Sequence, residues 1–386
     1  MKKSLKNKLK ELFELDKEYY ENKLREKFPD VSLIMSKKTP VIIYGAAKMG
    51  RIFKTNLIEN GIKILAFADS NSDLWERDID GIKIISPEEL RKKHLDKPIL
   101  VASLSCETEI SEMLHKMQFP LVYPLCWLNY KYPDIFVSPE YFQQFNTLFI
   151  PENQFDIFTV NEFWEDEESK QVFYNIIKFR LTFDKSCIKR IRSKYKQYFE
   201  PGILSFGQEE VFLDCGAYTG DSVEQFYEEV SGRFKKVYLF EPDRSNFLKL
   251  CDTARRLDPL KIVPVNSGVY HLTGEISFRD SGGIDTRIGS GENSVFLPVV
   301  SIDDFLKNKE DATFIKVDIE GAEVEALLGA KETIQKNKPK LAISVYHKAS
   351  DLWKIPLLIK SLNKDYRFYL RHYNTNEITD TVCYAV

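Results

Sequence analysis

None of the six cysteines (Cys106, Cys126, Cys187, Cys215, Cys251, Cys383) of this 386-residue chain stands in a C-x-x-C pair. That spacing excludes a disulfide framework and a thiolate zinc site. The five histidines (His94, His115, His271, His347, His372) lack metal-ligand spacing on any one helix, so no metal cluster is expected. Apolar runs of bilayer length are absent as well. The opening MKKSLKNKLKELF is basic but has no apolar core of a secretory signal. With unpaired thiols, this predicts a cytoplasmic protein. An excess of one charge is also missing. Lys and Arg number 55 and Asp and Glu 58, a net charge of −3, which leaves no electrostatic footprint for nucleic acid. The 27 Phe and 19 Tyr are spread along the chain rather than clustered with Arg and Lys, so a base-stacking surface is excluded too.

What is present is the composition of a globular protein, 43% hydrophobic and 29% charged. At this length one core is too small and two domains are expected. Residues 4–28 read as one amphipathic helix, with Leu5, Leu9, Leu12, Phe13, Tyr19 and Leu24 at helical spacing. Its acids Glu11, Glu14, Asp16, Glu18 and Glu21 would be repelled by anionic lipid. Packing on the protein itself, or on a second copy in a homo-oligomer, fits better. The boundaries expected are a helical segment over 1–33, a Rossmann-like α/β domain over 34–126, an aromatic-rich bridging segment over 127–205, and a second α/β domain over 206–386. Alternating strands and helices predict parallel sheets with helices on both faces.

The second α/β domain opens on Val211-Phe212-Leu213-Asp214-Cys215-Gly216-Ala217-Tyr218-Thr219-Gly220-Asp221. An apolar strand ends in an acid, passes a loop bounded by two glycines and opens a helix. Such a loop suits a dinucleotide or S-adenosylmethionine, and charge separates them. Helix N-termini favour anions, yet Asp214 and Asp221 give this pocket two carboxylates. They would repel a pyrophosphate and welcome a cationic sulfonium and ammonium. The next strand, Val237 to Phe240, ends in Glu241, placed to accept both hydroxyls of an adenosine ribose. Asn266 follows the third strand, where its side chain can read an adenine edge, and Asp318 follows the fourth. All four fall at the carboxyl ends of strands, where open α/β sheets bind ligands.

DCGAYTGDS, FEPD, VNSGV, SIDDFL, FIKVDIEGAE and ISVYHK, in that order, resemble the FkbM-family methyltransferases over residues 165–386. The resemblance implies a class I methyltransferase fold, a seven-stranded, mostly parallel sheet closed by an antiparallel hairpin. It also implies methyl transfer from S-adenosylmethionine to hydroxyls of sugars or polyketides. Asp214, Gly216, Gly220, Glu241 and Asn266 match the family's cofactor positions, and Tyr218, Thr219 and Asp221 lie in the same loop. Two runs at the C-terminus, Tyr366 to Tyr373 and Thr381 to Val386, read independently as the closing hairpin.

Transfer to a hydroxyl needs alignment and removal of its proton. The candidate bases are Asp318 and His347, at the ends of the fourth and fifth strands, and an unperturbed imidazole titrates near neutrality. Glu320 and Glu323 are expected in a helix's first turn. Arg371 and His372 could meet an acceptor's phosphate or carboxylate. In the first domain, Gly45-x-Ala47-x-x-Gly50 with Asp69 resembles the dinucleotide fingerprint with its middle glycine replaced. It also resembles small Rossmann-like domains fused to bacterial sugar-modifying enzymes. The alternative to a methyltransferase is therefore a protein acting through this domain on a nucleotide-sugar or NAD(P), as an oxidoreductase or without catalysis.

Overall fold

The computed structural model describes residues 4–103, 106–136, 144–279, 287–288 and 294–386, which fall into two compact units. The first comprises Met1–Ile150, Tyr174–Arg190 and Thr375–Glu377; the second comprises Pro151–Phe173, Ile191–Asn374 and Ile378–Val386. No helix among the described residues is long and apolar enough to cross a membrane.

In the first unit the expected single helix over 4–28 is two helices, Leu5–Glu14 and Lys17–Lys27. Asp16 breaks it: its side chain accepts the Tyr19 amide at 2.8 Å and caps a fresh helix. Six strands follow: β1 (Val41–Tyr44), β2 (Ile64–Ala68), β3 (Asp78–Ile79), β4 (Ile82–Ile85), β5 (Ile99–Val101) and β6 (Val122–Tyr123). They pair in the order β3-β4-β2-β1-β5-β6, parallel except for β3 against β4. All four residues of central β1 are buried, as an apolar run covered on both faces requires.

The strands of the second unit's main sheet are β7 (Val211–Cys215), β8 (Lys236–Phe240), β9 (Ile262–Val265), β14 (Phe314–Val317), β15 (Lys340–Ser344), β16 (Phe368–His372) and β17 (Thr381–Ala385). Among the described residues the order is β16-β17-β15-β14-β7-β8-β9, with β17 antiparallel to both its neighbours. This is the class I methyltransferase arrangement. Chain order reverses between β7 and β14, so a crevice opens at their carboxyl ends. Between β9 and β14 the chain adds β10 (Gly268–Val269), β11 (Gly274–Arg279), β12 (Arg287–Ile288) and β13 (Ser294–Val300), a second sheet ordered β10-β13-β11-β12.

Register fixes the site. Parallel pairing of β7 with β14 sets Phe212 beside Phe314 and, two residues on, Asp214 beside Lys316. The two phenyl rings stack at 4.7 Å between centroids, and Phe226 packs on Phe212 at 4.8 Å. Such aromatic pairs add about 0.5–1.5 kcal/mol each beyond area burial. The aromatic layer thus anchors the two strands whose next residues carry the charged groups.

Candidate functional site

At the end of β7 the chain turns through Gly216 at φ +84°, and helix Asp221–Glu229 starts after Gly220 at φ +104°. A Cβ on Gly216 would lie 1.9 Å from the carbonyl oxygen of Asp318, and one on Gly220 would lie 2.7 Å from Thr253 Cγ2. Both positions therefore need glycine for backbone angle and for close approach. Gly216 ties the loop against the tip of β14. The charge expected from Asp214 is not offered to a ligand. Its carboxylate is fully buried, Lys316 Nζ lies 2.9 Å away, and Ser222 donates its hydroxyl to it. Lys316 also donates to the Gly216 carbonyl at 2.7 Å. Asp214 is neutralised within the fold and shapes the loop from below. Sequence reading missed Lys316, whose only signal is a lone cation inside the apolar run Phe314–Val317.

The remaining loop residues keep their places around the crevice. Glu241, at the tip of β8, accepts the Tyr218 amide at 3.0 Å and the Asp243 amide at 2.9 Å, one on each oxygen. Burial raises its carboxyl above the ordinary value, against those two amide bonds, which lower it. Tyr218, at φ +48°, leaves its ring exposed, and the Thr219 carbonyl accepts from the Thr253 hydroxyl. Asp221 is exposed at the first helical position, the capping position itself being Gly220. The Asn266 amide is turned inward, donating to the carbonyls of Glu241 at 2.9 Å and Pro242 at 3.1 Å. Through these two bonds it braces the Glu241 loop.

Asp318 and His347 come together across β14 and β15. Asp318 accepts the Tyr198 hydroxyl at 2.5 Å and the Tyr346 hydroxyl at 3.2 Å, and His347 Nε2 lies 3.5 Å from Asp318 Oδ1. On the other edge of the ring, His347 Nδ1 is 2.9 Å from Glu323 Oε1, an ion-pair contact out of line for a hydrogen bond. Glu323 opens helix Glu323–Leu328, in the first turn as expected, and is fully buried. Its Oε1 accepts the amides of Ile319 and Gly321 at 3.0 and 3.2 Å. Glu320 precedes the helix at φ +56°, with Oε2 3.5 Å from His347 Nε2.

The imidazole does not titrate near neutrality. Burial lowers it, but the charge of Glu323, with Asp318 and Glu320, outweighs burial and raises it to about 10. For Asp318, burial acts upward, and the charges of Lys316 and His347 bring the carboxyl below its usual range. Asp351 is also buried here, and burial followed by the Glu323 charge raises it to about 7. Asp318, Glu323 and His347 each bring one donor atom, all within 4.8 Å of one another. Helical spacing gave no sign of this trio, because its members come from two strand ends and a helix start.

Two expected substrate contacts lie elsewhere. Arg371 is buried, with NH2 2.6 Å from Asp166 and Nε 3.4 Å from Glu200, so its cation is held by the protein's own acids. His372 is fully buried, and Nδ1 faces the Thr381 hydroxyl at 2.9 Å. The hairpin pairing of β16 with β17 turns both inward rather than to an acceptor. In the first unit, Gly45 (φ +111°) and Gly50 allow β1 and helix Lys48–Glu59 to approach closely. Both Asp69 oxygens accept backbone amides, from Ala46 at 2.8 Å and Asn71 at 2.9 Å, so the acid of that fingerprint braces its own loop.

Residues 214–376 match the family model described as the methyltransferase FkbM domain, and residues 36–121 match that described as C2185-like, N-terminal. The chain is 31% identical over 103 residues to the hexuronic acid methyltransferase AglP of Haloferax volcanii. That match spans 26% of this chain and 43% of the curated relative, less than half its length. The crystal structure of methyltransferase FkbM from Methylobacillus flagellatus KT superposes with a TM-score of 0.76 at 24% identity, over 93% of this chain and 94% of that one. At that identity the likeness shows a shared fold. Motif order, sheet topology and family match agree: residues 214–376, in the C-terminal half, form a methyltransferase domain of the FkbM type.

Proposed function

We propose that this methyltransferase moves the methyl group of S-adenosylmethionine to a hydroxyl of a sugar or glycan precursor. One observation carries the cofactor assignment. The Glu241 carboxylate stands at the tip of β8 against the glycine loop, and each oxygen has accepted a single backbone amide. A carboxylate offers about four lone-pair sites, so sites remain for the ribose diol of an adenosine even with the Asn246 side chain also reaching it. The polar groups around it fit such a ligand: Tyr218 and Thr219 from the loop, exposed Asp221 at the helix start, and the Asn266 carbonyl. Asp214, Gly216 and Gly220 act beneath this set by fixing the path of the loop. When bound, the cofactor supplies a methyl group on a cationic sulfur.

Asp318 and His347, at the ends of β14 and β15, form the edge that receives the acceptor. They orient its hydroxyl, and the carboxylates of this edge take its proton as the new C–O bond forms and the C–S bond breaks. Likeness to a hexuronic acid methyltransferase supports a sugar as the acceptor class. The test is transfer of isotopically labelled methyl from S-adenosylmethionine to a panel of hexuronic acid glycosides and neutral sugar glycosides. Label is expected in the acceptor with wild type and at least tenfold less with Asp318→Asn. Incorporation into none of the glycosides by folded wild type would refute the acceptor assignment.

A further inference from the structure

We infer that Asp318 and His347, flanked by Glu320 and Glu323, hold a divalent cation. The inference deepens the acceptor edge proposed above and rests on it. His347 Nε2 and Asp318 Oδ1 face each other at 3.5 Å, a spacing open to one ion bonded to both. Glu320 Oε2 lies at the same 3.5 Å from Nε2 on the solvent side and supplies a further oxygen.

Glu323 sits on the opposite edge of the ring, 2.9 Å from Nδ1. Its charge beside Nδ1 leaves Nε2, which faces Asp318 and Glu320, as the nitrogen for a ligand. Glu323 is itself fixed by the amides of Ile319 and Gly321, so the ring has a rigid backstop.

Two further observations point to a bound cation rather than to a self-contained ion pair. The His347 side chain keeps only 8% of its exposure, and both ring nitrogens are shielded from solvent with no aligned hydrogen-bond partner among the described residues. Buried polar nitrogens left so are costly. Three carboxylates, Asp318, Glu320 and Glu323, also converge on this one imidazole, with the charge of Lys316 shared between Asp214 and Asp318.

One imidazole nitrogen with carboxylate oxygens suits Mn²⁺ and its first-row neighbours better than a thiolate-seeking ion. Two or three protein ligands leave positions open, as catalytic sites do. A sugar hydroxyl bonded there through oxygen would release its proton more readily. The proton leaves through exposed Glu320 to solvent, the oxygen lone pair forms the C–O bond, and the C–S electrons stay on sulfur as a neutral thioether.

Mn²⁺ is the probe, added to chelator-stripped full-length protein and followed by electron paramagnetic resonance. The expected result is one ion per chain with micromolar affinity, and spin-echo modulation from a directly bound imidazole nitrogen in wild type. Asp318→Asn and His347→Gln should each weaken Mn²⁺ binding at least tenfold while leaving S-adenosylhomocysteine binding within threefold. Absence of stoichiometric Mn²⁺ binding, or of nitrogen modulation, would overturn the cation site even if neither variant folds. Binding unchanged in both variants would do the same. Loss of S-adenosylhomocysteine binding by wild type with Mn²⁺ retained would instead refute the methyl-transfer assignment.

Discussion

Lys316 Nζ lies 2.9 Å from Asp214 Oδ1, with both side chains buried in the sheet and paired by the register of β7 with β14. The Lys316 ammonium is raised above its ordinary value, because the charges of Asp214 and Asp318 outweigh burial, which lowers it. Removing one partner strands the other's charge, at a cost of about 3–5 kcal/mol. Lys316→Met is therefore expected to lower unfolding free energy by about that amount in urea titration. The double change Lys316→Met with Asp214→Leu should recover most of the loss. A single variant as stable as wild type would mean that the pair is not formed.

Gly216→Ala places a methyl group where the Asp318 carbonyl stands, at a backbone angle that disfavours any Cβ. The strained angle alone costs on the order of 1–3 kcal/mol, and relief of the clash must shift the tip of β14. The expected outcome is a lower melting temperature together with loss of S-adenosylhomocysteine affinity, both read by differential scanning fluorimetry. Wild-type behaviour in both would show that loop and strand tip do not touch.

Arg371 separates a structural from a substrate role. Its guanidinium bridges Asp166 and Glu200 inside the second unit, and a bidentate fork is not replaced by lysine. Arg371→Lys should destabilise the fold by about 1–3 kcal/mol with acceptor KM within twofold of wild type. A KM raised tenfold on an unchanged melting curve would return Arg371 to the acceptor.

Glu241 gives the pH dependence. Its carboxyl is raised by burial, so the folded protein favours the protonated form, and ligand-free stability from this group is lost as pH rises past the ordinary carboxylate value. Cofactor binding has the opposite sign, because the ribose hydroxyls need an ionised acceptor. S-adenosylhomocysteine affinity should fall about tenfold per pH unit below the raised pKa, and Glu241→Gln should abolish that slope. A flat pH profile in wild type would contradict the assignment.

Much of this arrangement was legible in the sequence. Apolar runs ending in Asp214, Glu241 and Asp318 mark three carboxyl-terminal strand tips, and the two late β-rich runs pair as the closing hairpin. Partner identity was not legible. Nothing in FIKVD tells that register brings Lys316 against Asp214, or that Tyr198, far earlier in the chain, donates to Asp318. Facing was the other loss. A strand end reads as exposed until β17 packs beside it, which is why Arg371 and His372 looked available. The break at Asp16 followed from one cap that helical periodicity overrides only on paper. His347 was found by position, but its charged state depends on Glu323, which spacing placed on a helix and only folding brought to the ring.

The most direct measurement is calorimetric titration of S-adenosylhomocysteine into wild type and Glu241→Ala at neutral pH. Micromolar binding to wild type, weakened at least a hundredfold by the substitution, is the predicted result. Folded wild type that takes up no S-adenosylhomocysteine, or a variant that binds it equally well, would contradict the cofactor site at the tip of β8.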